Sequence, residues 1–312
     1  MVKVEGLTKF YGAKRAVNRM NFQIRKGEVV GLLGLNGSGK TTVLRILAGD
    51  LMPTSGRVMI NHHNLFLEPY AVKKFLSFLP ETPPLYGEMT VKAYLKFIGR
   101  VKGLQRKEVI ERMDEVMAQA GIDNVANEII SHLSYGYRQR VGIAQTLINK
   151  PAFLLLDEPA SGLDPVQIVE MRRLIRSLRG AHTVILSSHL LSEISQICDR
   201  ILMIQNGEII GEGTEETLAQ QFTQKFHLRM QVRGSKERID EVLADRRGVE
   251  RIEWLKEEGG SVVFTLHLTM DVREEINQQL VNANLGVLEL TRTDLDLENL
   301  FLQLMEKGEN AS

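Results

Sequence analysis

Several protein classes are closed to this chain by what it has little of. One cysteine in 312 residues, Cys198, excludes an internal disulfide and fits a reducing compartment. It lies in Ile197-Cys198-Asp199-Arg200-Ile201, between a helical and an apolar segment, and reads as a small buried residue rather than a reactive thiol. No apolar run approaches the roughly 20 residues needed to span a bilayer. Work at a membrane would therefore need spans from another chain. The opening Met1-Val2-Lys3-Val4-Glu5 has no apolar h-region of a secretory signal. Net charge is also absent, with 39 basic and 39 acidic residues, so no global field draws the chain toward nucleic acid. A net −5 from Phe222 onward, against +5 before it, is too small to imply a polyanionic partner. The one tryptophan, Trp254, falls in a strand-like segment and reads as a core or dimer contact rather than a ligand platform. Adjacent His62-His63 lack further metal ligands and read as a polar turn.

At 43% hydrophobic and 25% charged residues, the composition is that of an ordinary globular protein with room for two domains. The first two-thirds alternates strand-like and helix-like segments. Apolar runs recur at 29–33, 76–79, 153–156, 183–186 and 201–204, with amphipathic stretches at 90–101, 108–120 and 166–178. That rhythm predicts an α/β domain around a mostly parallel sheet. Residues 2–5 and 20–24 look like antiparallel strands at one edge. A polar stretch follows at 215–224, and then a different order: strand 226–232, helix 236–244, strands 249–255 and 261–268, helix 272–285, strand 287–291, helix 295–305. The order β-α-β-β-α-β with a trailing helix predicts a small ferredoxin-like α+β domain.

Between the apolar run 29–33 and a helical pattern lies Gly34-Leu35-Asn36-Gly37-Ser38-Gly39-Lys40-Thr41-Thr42. It satisfies G-x-x-x-x-G-K-[ST], the phosphate-binding P-loop, in the strand–loop–helix setting the mechanism requires. Glycines let the backbone N–H groups turn inward on an anion, and the following helix adds the positive end of its dipole. Lys40 can reach β- and γ-phosphates, and the Thr41 hydroxyl can ligate Mg²⁺. The apolar run Phe153–Leu156 ends in Asp157-Glu158. Downstream of a P-loop, such a pair predicts one carboxylate on Mg²⁺ and one on the attacking water.

These segments resemble the ATP-binding cassette (ABC) family. Leu133-Ser134-Tyr135-Gly136-Tyr137 resembles its LSGGQ signature, followed by Arg138-Gln139-Arg140. Ser161-Gly162-Leu163-Asp164 resembles the D-loop, His189 the switch histidine, and Tyr11 the aromatic that stacks on adenine. The matches occur in family order over residues 1–220. The signature departs from the pattern at Tyr135, where glycine is usual, and at Tyr137, where glutamine is. After strand 75–79 the family usually has glutamine, whereas here Glu81 follows Pro80. A carboxylate there can face Mg²⁺ but cannot donate as an amide does. The segment Glu81–Val91 and the tail Asp296–Leu302 resemble ATPases of ABC-2-type exporters, particularly those of gliding motility and copper processing.

The resemblance implies a P-loop ABC cassette over 1–220, with a mostly parallel sheet, an antiparallel edge subdomain and a helical subdomain at about 82–150. An accessory α+β domain follows at 221–312, either a dimer brace or an ACT-like ligand-binding module. It implies an ATPase with ATP and Mg²⁺, in which Glu158, His189 and Lys40 are catalytic. Nucleotide contacts are implied for Tyr11, Val17, Asn36, Gly37, Ser38, Gly39, Lys40, Thr41, Thr42, Ser134 and Gly136, and metal contacts for Thr41, Glu81 and Asp157. The implied assembly is a head-to-tail homodimer, or a pair with a sister ATPase, on a separate transmembrane permease. The 81–103 surface is the expected dock, at the cytoplasmic face of the membrane, with no nucleic-acid partner. The competing expectation is a soluble ABC ATPase acting on nucleic acid or ribosomes. Such proteins tend to carry two cassettes or a coiled-coil insert, and this chain has one P-loop and no sustained heptads between Lys40 and Ser134. An inactive regulatory cassette conflicts with the presence of Lys40, Asp157, Glu158 and His189.

Overall fold

Strands β1 (Val2–Tyr11) and β2 (Lys14–Ile24) alternate buried apolar with more exposed positions and pair antiparallel, the pattern of a sheet with one covered face. They belong to a computed structural model that describes residues 2–222, 226–244 and 246–292. Strand β3 (Val29–Leu33) is buried along its whole length, as in a strand covered on both faces. It feeds the P-loop and helix α1 (Lys40–Leu47). Strands β4 (Ser55–Ile60) and β5 (His63–Asn64) complete a first sheet in the order β2-β1-β4-β5. Helix α2 (Pro69–Lys73) and strand β6 (Leu76–Leu79) follow.

Three helices come next: α3 (Val91–Val101), α4 (Arg106–Ala120) and α5 (Tyr135–Leu147). Their starts are written in the sequence. The Thr90 hydroxyl accepts from the Ala93 amide at 3.2 Å, and Gln105 with Glu108 forms a reciprocal capping box, each satisfying amides that the first turn leaves open. The chain then returns through β7 (Phe153–Leu156), α6 (Pro165–Ser177), β8 (Thr183–Ser188), α7 (Leu191–Ile194), β9 (Arg200–Gln205) and β10 (Glu208–Gly213). The second sheet runs β10-β9-β3-β8-β7-β6. Its five strands from β9 to β6 are parallel, and β10 is an antiparallel edge. One apolar core joins the two sheets through α1, from Val4 and Phe22 to Leu44, Leu155 and Ile185. The mostly parallel sheet, the antiparallel subdomain and the helical insertion all match the expectation. Because β3, β7 and β8 are parallel neighbours, the P-loop, Asp157-Glu158 and Ser187–His189 emerge at one carboxyl edge. Ligands of open α/β sheets bind at that edge.

The chain divides into two compact units, Met1–Thr214 and Glu215–Ser312. The second begins with helix α8 (Glu215–Phe222), where the composition suggested only a polar stretch. Leu218 is fully buried there, and Glu215 and Glu216 lie in the first turn, where acids favour a helix. Strand β11 (Phe226–Arg233), helix α9 (Lys236–Leu243), strands β12 (Val249–Glu258) and β13 (Ser261–Leu268), helix α10 (Arg273–Asn282) and strand β14 (Gly286–Arg292) form an antiparallel sheet, β12-β13-β11-β14. Gly259 and Gly260, at φ 58° and 76°, make the two-residue hairpin turn that requires positive φ at both positions. Alternate residues Leu228, Met230 and Val232 share a core with Ile239 and Leu243 of α9 and Ile276 and Leu280 of α10. Trp254 packs on that core, 5.2 Å from the Phe264 ring. The helix expected at 295–305 lies outside the described residues. Among the described residues, no helix is long and apolar enough to cross a membrane.

Candidate functional site

The P-loop leaves β3 and enters α1 through Gly39, whose φ is 111°. A Cβ there would stand 2.5 Å from the Ala16 carbonyl oxygen, so only glycine lets the loop approach β2 this closely. Above the loop opens a cavity of about 440 Å³ lined by Tyr11, Asn36, Gly37, Gly39, Lys40, Thr41, Thr42, Glu81, Glu158 and His189, together with Lys14, Ala16 and Ser161. Ten residues singled out in the sequence thus meet around one space, although Tyr11 and His189 are far apart in the chain.

Within it, the Lys40 ammonium donates to the Gly34 carbonyl at 2.7 Å and the Leu35 carbonyl at 3.2 Å. It lies 3.3 Å from Glu158 Oε1. The other Glu158 oxygen, Oε2, is 3.0 Å from His189 Nδ1. Glu158 therefore stands between a cation and an imidazole, with its backbone held at φ 46°, a conformation that costs a non-glycine residue on the order of 1–3 kcal/mol and collects at functional sites. Ser187, at the end of β8, holds it there. The Glu158 amide donates to Ser187 Oγ at 2.8 Å, and that hydroxyl donates to Asp157 Oδ1 at 2.7 Å. Thr41 Oγ1 donates to the same carboxylate oxygen at 3.1 Å. Burial pushes the Asp157 carboxyl above the usual carboxylate range, and the hydrogen bonds from Ser187 and Thr41 oppose that shift. Tyr11 is 46% exposed, so its ring is presented rather than packed, with the Lys9 ammonium 5.4 Å from its centroid.

Two expected contacts, Val17 and Ser38, lie outside the cavity, and Ser134 and Gly136, expected at a second subunit's nucleotide, are placed outside it too. Val17 is fully buried in the core between the sheets. Strand alternation turns it inward and gives the cavity face to its neighbour Ala16. Ser38 is also buried, with its amide donating to the Leu35 carbonyl at 3.2 Å, so the loop's own turn takes up that N–H. Ser134 and Gly136 do not line the cavity either. Ser134 caps α5, accepting from the Tyr137 amide at 3.4 Å, and Gly136 packs against the Gln167 side chain of α6. Asp157 faces an adjoining cavity that it shares with Thr41, Pro80 and Lys102. Ser161 belongs to the segment that resembles the D-loop, whereas Ser187 and Ala16 were given no role in the sequence. Of these two only Ser187, a hydroxyl ending an apolar strand, carried a readable signal.

His63 pairs with Glu68 at 2.8 Å, and no group of three or more His, Cys, Asp or Glu among the described residues is arranged to hold a metal alone. The Cys198 thiol is enclosed and its pKa is pushed up by burial.

Comparison with known proteins agrees with this geometry. The ABC transporter family model matches residues 17–161. The chain is 32% identical over 310 residues to the bacitracin transport ATP-binding protein BcrA of Bacillus licheniformis, covering 99% of this chain and 98% of that protein. It is 35% identical over 218 residues to the daunorubicin resistance ATP-binding protein DrrA3 of Streptomyces coeruleorubidus, covering 70% of this chain and 69% of that one. Among solved structures, the cassette MJ0796, a dimer bound to ADP and Pi, superposes with TM-score 0.63 at 27% identity, over 69% of this chain and 98% of that chain. With a P-loop, an acidic pair and a histidine around one cavity, and with relatives that match it end to end, this chain belongs to the ABC transporter family as an ATP-binding subunit that hydrolyses ATP.

Proposed function

We propose that this ATPase drives a separate transmembrane permease of an exporter through ATP-dependent closure of a head-to-tail dimer. The observation that carries the reading is the placement of Ser134 and Gly136. They stand outside the cavity that gathers Lys40, Thr41, Glu158 and His189, so a second subunit would have to supply them. A P-loop leaves one face of the γ-phosphate open. Covering that face with the N-terminus of α5 from another subunit excludes water and adds a helix dipole. Relatives named for bacitracin transport and daunorubicin resistance support export. The similar cbiO1 of Clostridium perfringens, part of the ABC transporter complex cbiONQ, supports a separate permease. Such a partner would hold the chain at the cytoplasmic membrane face.

Within the site, Tyr11 would stack on adenine while the loop amides and Lys40 hold the β- and γ-phosphates. Lys40 moves little to do so, because its ammonium already points across the loop. Glu158 would orient and deprotonate the attacking water, and His189 would hold that carboxylate and meet the γ-phosphate. Thr41 and Asp157 fit Mg²⁺. The Thr41 hydroxyl and the Asp157 carboxylate lie side by side, 3.1 Å apart, and would offer the hard oxygen ligands that Mg²⁺ takes. When bound, Mg²⁺ would offset charge on the phosphates and leaving group, and Glu81 would face it from the far wall. The C-terminal order β12-β13-β11-β14, with both helices sharing one core, supports the ferredoxin-like reading of that unit.

Glu158→Gln keeps the volume and removes the base. It is expected to bind ATP, to hydrolyse it at least about a hundredfold more slowly, and to elute as a dimer with ATP in gel filtration. Near-normal turnover would remove Glu158 from this role. Co-purification of the chain with a multi-span membrane protein tests the permease, and association with ribosomes instead would overturn it.

A further inference from the structure

Tyr135 stands where the family pattern has glycine, and the structure gives its hydroxyl a place. Gln139, one turn later on α5, is fully buried. Its Nε2 donates to the backbone carbonyl of Glu81 at 2.8 Å and to the Tyr135 hydroxyl at 2.8 Å. Both amide hydrogens are thereby used. The orientation is determined, because the flipped amide would set Oε1 against the Glu81 carbonyl. Among the described residues, buried Gln139 Oε1 has no hydrogen-bond partner, so those two bonds hold the polar end of the side chain.

Each end of this bridge meets a different part of the site. Glu81 lines the nucleotide cavity with Thr41, Glu158 and His189. Tyr135 follows Ser134 at the start of α5, and its ring lies along the Ser161–Asp164 turn. A Cβ added to Gly162 would sit 3.3 Å from Tyr135 Cε1. Ser161 of that turn lines the same cavity.

We propose that Tyr135 is a positioning residue for ATP hydrolysis. Through the Gln139 amide, its hydroxyl fixes the main chain at Glu81 and keeps that carboxylate in step with the signature end of α5. A glycine at this position has neither the acceptor nor the ring, so the tyrosine supplies a connection between the Glu81 loop and the Ser134 turn. The proposal rests on the reading in which Glu81 faces the metal and Ser134 faces a second subunit's nucleotide. Its chemistry is that of a neutral hydrogen-bonded relay, so the loss expected on breaking it is moderate.

Tyr135→Phe keeps the ring against Gly162 and removes only the acceptor. The full chain is assayed for steady-state ATP hydrolysis against ATP and Mg²⁺, for affinity toward a fluorescent ATP analogue, and for melting by circular dichroism. We expect kcat to fall about three- to tenfold and the half-saturating Mg²⁺ concentration to rise, with KM for ATP and analogue affinity within about twofold of wild type. Gln139→Leu, which breaks both bonds at similar volume, should lower kcat at least as far. The double variant should match Gln139→Leu alone, because Tyr135 acts through that amide. An unchanged kcat, a change confined to KM, or multiplicative losses in the double variant would each overturn the proposal. If Tyr135→Phe does not fold, Gln139→Leu carries the test, and failure of both to fold makes the pair structural and overturns it too. Gel filtration of Glu158→Gln with ATP separates this outcome from the dimer reading. A monomer there, beside a lowered kcat in Tyr135→Phe, sinks the composite site and leaves the positioning role standing.

Discussion

Asp157 shows how a single residue is kept useful at a cost to the fold. It follows the end of β7 with 2% exposure, and its carboxylate accepts from the hydroxyls of Ser187 and Thr41. Burial raises its pKa above that of a free carboxyl, so folding favours the neutral form more than the unfolded chain does. That preference is fully present below the unfolded pKa and is lost as pH rises through the raised folded value. At neutral pH the ionised carboxylate is therefore a burden that a cation would relieve. Asp157→Asn keeps the shape and both accepted hydrogen bonds without the charge. It is expected to raise the melting temperature without nucleotide by roughly 2–4 °C, as about 1 kcal/mol does in a domain of this size, while Mg²⁺-dependent hydrolysis is lost. Calorimetry at neutral pH and an ATPase assay check the two halves. A lower melting temperature would show that the charge helps the fold. Glu158, strained at φ 46°, fits the same trade of stability for function.

At the scale of elements, Lys102 joins the helical insertion to the sheet. It follows the last turn of α3, and its ammonium donates to Ser77 Oγ of β6 at 3.1 Å, to the Gln145 carbonyl of α5 at 3.2 Å and to Asn149 Oδ1 at 3.0 Å. All three acceptors are neutral. The residue is exposed as a whole, yet desolvation of its ammonium among these partners lowers its pKa to about 8 from 10.5. Between those values the unfolded chain binds more protons than the folded one, so folding stability rises with pH across that window. Urea titrations from pH 7.5 to 10.5 should show this rise in wild type and a flatter profile in Lys102→Met. Equal slopes would place the ammonium in water. The start of α3 was readable from Thr90, and that of α4 from the Gln105/Glu108 box. The inter-element bonds of Lys102 were not, because its partners lie far away in the chain and nothing in the local pattern marks them.

For the whole molecule, the division at Thr214 separates an ATP-binding unit from one with its own apolar core. A nucleotide that binds only the folded cassette stabilises only that unit. Scanning calorimetry should therefore resolve two transitions. At a non-hydrolysable ATP analogue concentration about 100 times its Kd, the cassette transition should rise by about 5–10 °C, and the other should stay fixed. Equal shifts in both would mean the units melt as one.

What the chain order determined alone was the local chemistry. A glycine-rich loop after an apolar strand, an acidic pair ending another, a capping serine and a Gly-Gly turn each work within a few residues of backbone, where spacing is the physics. Periodicity likewise placed the longer strands and helices, and it missed short ones such as 69–73, 191–194 and 215–222, the last anchored by buried Leu218 through packing. Tertiary structure decided the rest. Parallel pairing of β3, β8 and β7 brings Lys40, Glu158 and His189 to one edge. Strand alternation sends Val17 to the core and Ala16 to the cavity. Tyr135 meets Gln139 within one turn of α5, and only the packing of α5 against the Glu81 loop carries that contact on to the Glu81 carbonyl. Such pairings depend on distances between residues remote in sequence, and one-dimensional spacing does not contain them.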